Sequence, residues 1–209
     1  MATHTEVAHG HGHADHGADH DAHHGPAKNW ITRWVMGTNH KDIGTLYLVF
    51  SCVMFFVGGA MAMVIRAELF KPGMQFVDPM FFNSMTTMHA LVMIFCAVMP
   101  AWVGLANWMI PLQVGAPDMA LPRMNNFSFW ILPFAFTLLL STLFVPGGAP
   151  AGGWTLYPPL SLQMGDGFPM AIFAIHLMGA SSILGSINVV VTIMNMRAPG
   201  VGLLNMPLF

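Results

Sequence analysis

Four long runs of this chain contain no aspartate, glutamate, lysine or arginine: residues 44–65, 81–110, 127–145 and 168–195. A bilayer's hydrocarbon core is about 30 Å thick and takes roughly 20 residues of helix to cross. Each run is therefore long enough, or nearly so, to cross it once. Inside lipid every backbone N–H and C=O must be satisfied within the protein, which leaves helices or a closed barrel. The runs are continuously apolar, with no two-residue alternation, so they predict helices. Soluble domains carry about 25% charged residues, and this chain carries 8%. A water-soluble globule is excluded. The expected fold is an all-α, polytopic transmembrane helix bundle of four spans plus the start of a fifth. That start is the tail 201–209, which ends in the apolar LNMPLF but is too short to cross.

Basic residues set the expected orientation. Lys28, Arg33 and Lys41 precede the first run, Arg123 follows the second and Arg197 the fourth, whereas Arg66 and Lys71 fall on the opposite side. By the positive-inside rule the N-terminus is expected to be cytoplasmic. Net charge is −2 with histidine neutral, so no basic face points to a nucleic-acid partner. Residues 1–28 hold eight of the eleven histidines among Gly, Ala and Asp. They have neither the apolar core nor the cleavage site of a signal peptide. Too little apolar surface is available there to offset ordering, so a disordered tail is expected. His9, His11, His13, His16, His20, His23 and His24 could chelate Zn, Cu or Ni, but their spacing sets no geometry. Cys52 and Cys96 lie inside apolar runs and are expected to be buried apolar side chains. Gly58, Gly59, Gly179 and Gly185 are candidates for close helix packing.

Ionisable groups at membrane depth are costly and mark functional sites by default. Within the runs the only imidazoles are His89 and His176. A neutral imidazole is a good axial ligand for haem iron; equally, each could be a ring bonded to a neighbouring helix. Arg66 ends the first run on the side where His89 lies, and it could hold a polar substituent of a cofactor or snorkel to the interface. Ser181, Asn188 and Asn195 recur every seven residues along one helix face, with Ser182 beside them. Such a stripe either glues helices together or holds a file of waters. Asp118, in the loop after the second run and flanked by Asn107 and Asn125, is the candidate carboxylate at the cytoplasmic end of that file.

Long contiguous motifs then resemble subunit I of the haem-copper oxidases, in the cytochrome c oxidase branch. They are TNHKDIGTLYL (38–48), IRAEL (65–69), the MHALVMIF run around His89, NWMIPLQVGAPDMALPRMNNFSFW (107–130), GGWTLYPPL (152–160) and HLMGASSILGSINVVVTIMNMRAP (176–199). The resemblance covers about 30–209, making residues 29–209 the N-terminal part of a membrane domain behind the 1–28 tail. It implies that His89 is an axial ligand of the low-spin haem, expected to be haem A, and that Arg66 bonds that haem's formyl group. Asp118 would be the aspartate at the mouth of the D-pathway for protons. Asn107, Asn125, Tyr47, Ser181, Ser182 and Asn188 would line it, and His176 would hold no cofactor. Some bacterial relatives have serine where this chain has Met178. Quinol-oxidising relatives carry histidine and glutamine where this chain has Phe81 and Ser84, and often arginine at Pro117, which favours cytochrome c as donor. The implied setting is a bacterial inner membrane. The implied partners are a copper-bearing subunit II, subunit III, cytochrome c, O2 and membrane lipid. The family's second low-spin haem ligand, its high-spin haem ligand, its copper ligands and its inner glutamate have no counterpart in these residues. The chain alone is therefore expected to be inactive, the N-terminal part of a longer subunit. A quinol oxidase or a non-catalytic membrane fragment are the alternatives.

Overall fold

A computed structural model describes residues 29–207. The histidine-rich stretch 1–28, with its expected disorder and possible metal binding, lies outside them, as do the last two positions of the tail. Among the described residues the chain is helical, with no strand. A short helix α1 (Trp30–Met36) precedes α2 (His40–Glu68). The second crossing is built from α3 (Pro79–Leu91), a π-helical stretch (Val92–Val98) and α4 (Met99–Val114); α5 (Pro122–Ser141) and α6 (Gly167–Asn195) follow. Four helices are long and apolar enough to cross a membrane: His40–Glu68, Pro79–Val114, Pro122–Phe144 and Gly167–Asn195. The expected four-span bundle is what the structure shows.

Each crossing is longer than its charge-free run at one or both ends, and for α2 and α3 the reason is that polar residues start the helices. Asn39 caps α2 by accepting from the Lys41 amide at 3.0 Å. Asp78 caps α3 by accepting from the amides of Met80 and Phe81, with Pro79 at the first position, where its missing N–H costs nothing. Within the second crossing the Met99 amide bonds Ile94 O, five residues back, so the ladder there is π rather than α.

The core joins α2, α3 and α5 through Ile43, Tyr47, Met88, Leu91, Phe129 and Leu139, all nearly or fully buried. Methionine fills much of the rest (Met54, Met61, Met85, Met178), as suits irregular gaps between helices. Of the four glycines expected at close contacts, Gly58 qualifies: a Cβ there would sit 2.6 Å from Met93 Sδ. Gly185 has only ordinary contact with Val103, and Gly59 and Gly179 face open space. A backbone-to-backbone approach is made instead by Gly44 of α2 and Gly104 of α4. A Cβ on Gly104 would lie 3.0 Å from Gly44 O, 3.0 Å from Tyr47 Cβ and 2.9 Å from Leu48 Cγ. Gly104→Ala is expected to push α2 and α4 apart at a cost of about 1–3 kcal/mol. The check is a lowered thermal denaturation midpoint of the detergent-solubilised protein.

Cys96 is buried as expected, but Cys52 is exposed on the outer side of α2; being apolar in sequence did not put it inside, because that face of a membrane helix needs no protein cover. In the described part of the tail, Leu203–Asn205 makes one 3-10 turn. Met206 there packs with Ile110 and Val114 at the end of α4, and the Ala198 amide bonds Val114 O at 2.9 Å.

Candidate functional site

Helix α3 places His89 ten residues after its first residue, Pro79, or about 15 Å along the axis. The ring is half-buried. Its Nδ1 lies 2.8 Å from Gly58 O on α2. A carbonyl oxygen only accepts, so Nδ1 carries the hydrogen, and in the neutral ring Nε2 then keeps its lone pair. This is the ring state a metal ligand needs, with a backbone oxygen fixing tautomer and orientation. Arg66 stands exposed in the last turn of α2 and makes no side-chain hydrogen bond among the described residues. Two residues on, Glu68 is buried and gathers three amides of the following loop: Gln75 at 2.7 Å, Phe76 at 2.8 Å and Val77 at 3.2 Å. The link between α2 and α3 is thus tied from inside. Sequence reasoning gave Glu68 no role; its place two residues after Arg66 in IRAEL was the available signal.

His176 is exposed on α6, its Nδ1 turned back to Ile172 O of the same helix at 2.8 Å. The two histidines of the charge-free runs therefore differ. One is oriented by a second helix, the other only by its own.

A column of buried polar groups runs through the bundle from Asp118. The aspartate is half-buried, and its Oδ1 accepts from the His40 amide at 3.2 Å and the Met119 amide at 2.7 Å. The His40 ring bonds Asn107 O at 2.8 Å. Asn107 Oδ1 accepts from Asn125 Nδ2 at 2.5 Å, and Asn107 Nδ2 donates to Val103 O. One turn along α5, Ser128 Oγ donates to Asn125 O at 2.7 Å and lies 2.9 Å from the Tyr47 hydroxyl. Ser181 Oγ donates to Ser128 O at 2.6 Å. Tyr47, Asn107, Asn125, Ser128 and Ser181 are all at most 2% exposed. Six of the expected polar residues (Asp118, Asn107, Asn125, Tyr47, Ser181 and Asn188) thus lie in or next to one connected region. His40 and Ser128 belong to it as well, although sequence reasoning did not select them. Ser128 follows Asn125 at the i+3 spacing that puts two side chains on one helix face, which was a usable signal. His40 sits just outside the first charge-free run and was passed over for that reason.

The stripe on α6 divides. Ser181 and Asn188 are buried, and Thr192 continues the face; Asn195 is exposed at the helix end. Asn188 Oδ1 accepts from the Leu121 amide and Thr192 Oγ1 from the Ala120 amide, each at 2.9 Å. These bonds tie the loop carrying Asp118 to α6. Ser182 is half-buried and lines a cavity of about 290 Å³ with Tyr47, Val103, Leu132, Met178 and Ser181. Asn125 Oδ1 and Asn188 Nδ2 are buried with no partner among the described residues. Buried amides of this kind are normally satisfied by water. Among the described residues no three His, Cys, Asp or Glu side chains cluster as a metal site.

The family model for "Cytochrome C and Quinol oxidase polypeptide I" matches residues 42–209. Cytochrome c oxidase subunit 1 of Candida albicans is 45% identical over 187 residues, covering 87% of this chain and 35% of that protein. The subunit 1 of Cereibacter sphaeroides is 41% identical over 229 residues, covering 94% and 40% respectively. That of Synechocystis is 46% identical over 185 residues, covering 88% and 33%. The chain thus spans 33–40% of the length of these relatives. With this match and the four-span architecture in place, the chain belongs to the family of cytochrome c and quinol oxidase polypeptide I, a family of haem-copper respiratory oxidase subunits.

Proposed function

We propose that this chain holds a low-spin haem through His89, with Arg66 beside it, and takes up protons at Asp118 from the cytoplasmic side, within an oxidase that passes electrons from cytochrome c to O2. The observation that carries this reading is the buried polar column from Asp118 and His40 through Asn107, Asn125 and Ser128 to Tyr47 and Ser181. Membrane helices gain little from so many buried polar groups in one line unless something polar passes along them. The His89 ring fits a haem iron because its free Nε2 is the basic nitrogen and Nδ1–H is held by Gly58 O. Bound haem would supply one-electron redox chemistry, and the protein would tune it through its ligand and hydrogen bonds.

The other residues act on protons and water. Asp118 Oδ1 is held by two amides, while Oδ2 has no partner among the described residues and is left to collect protons. The orphaned Asn125 Oδ1 and Asn188 Nδ2 would anchor waters leading away from it. The Tyr47, Ser128 and Ser181 hydroxyls would carry the file inward, to the polar edge of the cavity that Ser182 lines. In this reading the N-terminus is cytoplasmic, and 29–209 is the N-terminal part of a subunit in a bacterial inner membrane. Copper-bearing subunit II, subunit III and the remainder of subunit I complete the enzyme, with its high-spin haem and copper.

The donor is tested with the full-length subunit in its native complex. Oxygen uptake is expected with reduced cytochrome c, and little with ubiquinol. Uptake with ubiquinol alone would move the protein to the quinol-oxidising branch. A purified complex without haem would make it a non-catalytic membrane protein.

A further inference from the structure

The short helix α1 joins none of the four crossings, yet it does not hang free in water. Its end is bound to the flank of α5: Asn126 Nδ2 and Trp130 Nε1 both donate to Val35 O, at 3.0 and 3.1 Å. The depth of that anchor follows from helix geometry. Asn126 lies four residues and Trp130 eight residues past Pro122, the first residue of α5, or about 6 and 12 Å along the axis. The crossing Pro122–Phe144 has 23 residues, about 35 Å in length. That is only about 5 Å more than a hydrocarbon core of about 30 Å. With the hydrocarbon centred on this crossing, Val35 is level with its outermost part, below the aqueous surface. A last-turn carbonyl has no partner within its helix. Where water is scarce it must find one elsewhere, and here two side chains of a membrane helix supply it.

The faces of α1 agree with that depth. At 100° per residue Trp30, Ile31, Trp34 and Val35 share one arc, while Thr32, Arg33 and Met36 lie off it, the Arg33 guanidinium reaching back over the Trp34 ring at 5.6 Å from its centroid. Arg33 pairs with Asp42 at the start of α2, at 3.0 Å. Trp30 and Ile31 are 76% and 65% exposed. On α5, beside the anchor, Phe127 and Phe134 are exposed too, so the apolar arc continues the outer surface of a membrane crossing. Tryptophan is the residue type that accumulates where headgroups meet acyl chains, and α1 has two among its seven residues.

We propose that α1 is an interfacial helix whose Trp30–Ile31–Trp34 arc is covered by the headgroup–acyl boundary of the bilayer, and that lipid is thereby a structural partner of the segment leading into His40. Binding of this kind grows with the apolar area buried in the interface and does not require a crossing. It is independent of the haem and proton assignments, since it needs only that α5 spans the membrane.

The test uses the full-length subunit in its complex, reconstituted in phosphatidylglycerol–phosphatidylcholine nanodiscs. A diazirine amino acid replaces Ile31 in one variant and Thr32 in another. After illumination, mass spectrometry reads what each carbene inserted into. At position 31 phospholipid adducts are expected to exceed water insertion several-fold, and at position 32 the ratio is expected to invert. Water insertion at both positions would overturn the proposal by lifting α1 off the bilayer. An adduct at position 31 to another protein chain would overturn it in favour of a subunit contact.

Discussion

His89→Ala, placed in the full-length subunit within its complex, is expected to abolish the low-spin haem absorption band in the reduced spectrum. The effect should be all-or-none, because alanine offers no lone pair and the other imidazoles of the described crossings are held elsewhere: His40, eighteen residues before Gly58 on α2, is bonded to Asn107 O. His176 is on α6, exposed, and bonded within its own helix. His176→Ala is accordingly the matched control and should leave the band intact. The same geometry explains why a ring at this position is poised to ligate: Gly58 O orients it from α2 at 2.8 Å and holds the proton on Nδ1. Close packing sets that oxygen, since a Cβ on Gly58 would collide with Met93. A reduced spectrum unchanged by His89→Ala would remove this residue as a ligand and leave Gly58 O as its whole purpose.

Asp118→Asn should leave both haem bands unchanged and slow proton uptake by on the order of 100-fold, the scale on which a positioned acid–base group acts. Asparagine keeps the Oδ1 acceptor that the amides of His40 and Met119 use, so the loop should hold its shape. What it loses is the ability to carry charge and to take a proton at Oδ2. The measurement is the pH change outside or inside oxidase vesicles during turnover, followed with a pH-sensitive dye. Normal turnover with normal proton movement would reject Asp118 as the point of uptake. The polar column would then be packing alone.

The spans were legible in the sequence because absence of charge over some twenty residues leaves lipid as the only solvent that fits. Their ends were less so: Asn39, Asp78 and Pro79 are capping residues, whose polarity ends an apolar run before the helix itself ends. The seven-residue stripe of Ser181, Asn188 and Asn195 held for two members and failed for the third. A straight α-helix drifts about 20° per seven residues against such a repeat, and Asn195 is in addition the last residue of α6. Contacts between crossings were the illegible part. Nothing local to Gly44 says that Gly104 will meet it, and nothing local to Asn107 says that Asn125 will donate to it. Those two asparagines came to notice only as the flanks of Asp118 in sequence, and Tyr47 only through resemblance. His40 shows the converse weakness: judged by hydropathy it is a flank residue, whereas its backbone and its ring link Asp118 to Asn107.

The π-helical stretch Val92–Val98 sets how one crossing would serve the two tasks proposed for it. His89 and Asn107 are separated by eighteen positions, which in an unbroken α-helix of 3.6 residues per turn is five whole turns. Both side chains would then point the same way. A π turn accommodates about one additional residue and rotates everything beyond it by roughly 100°. The ring that faces Gly58 and the amide that meets Asn125 are thereby aimed to different sides of a single rod. Rewinding this stretch as regular α-helix, with no residue removed, would swing them into line, and the proposed haem and the proposed proton file would compete for the same flank.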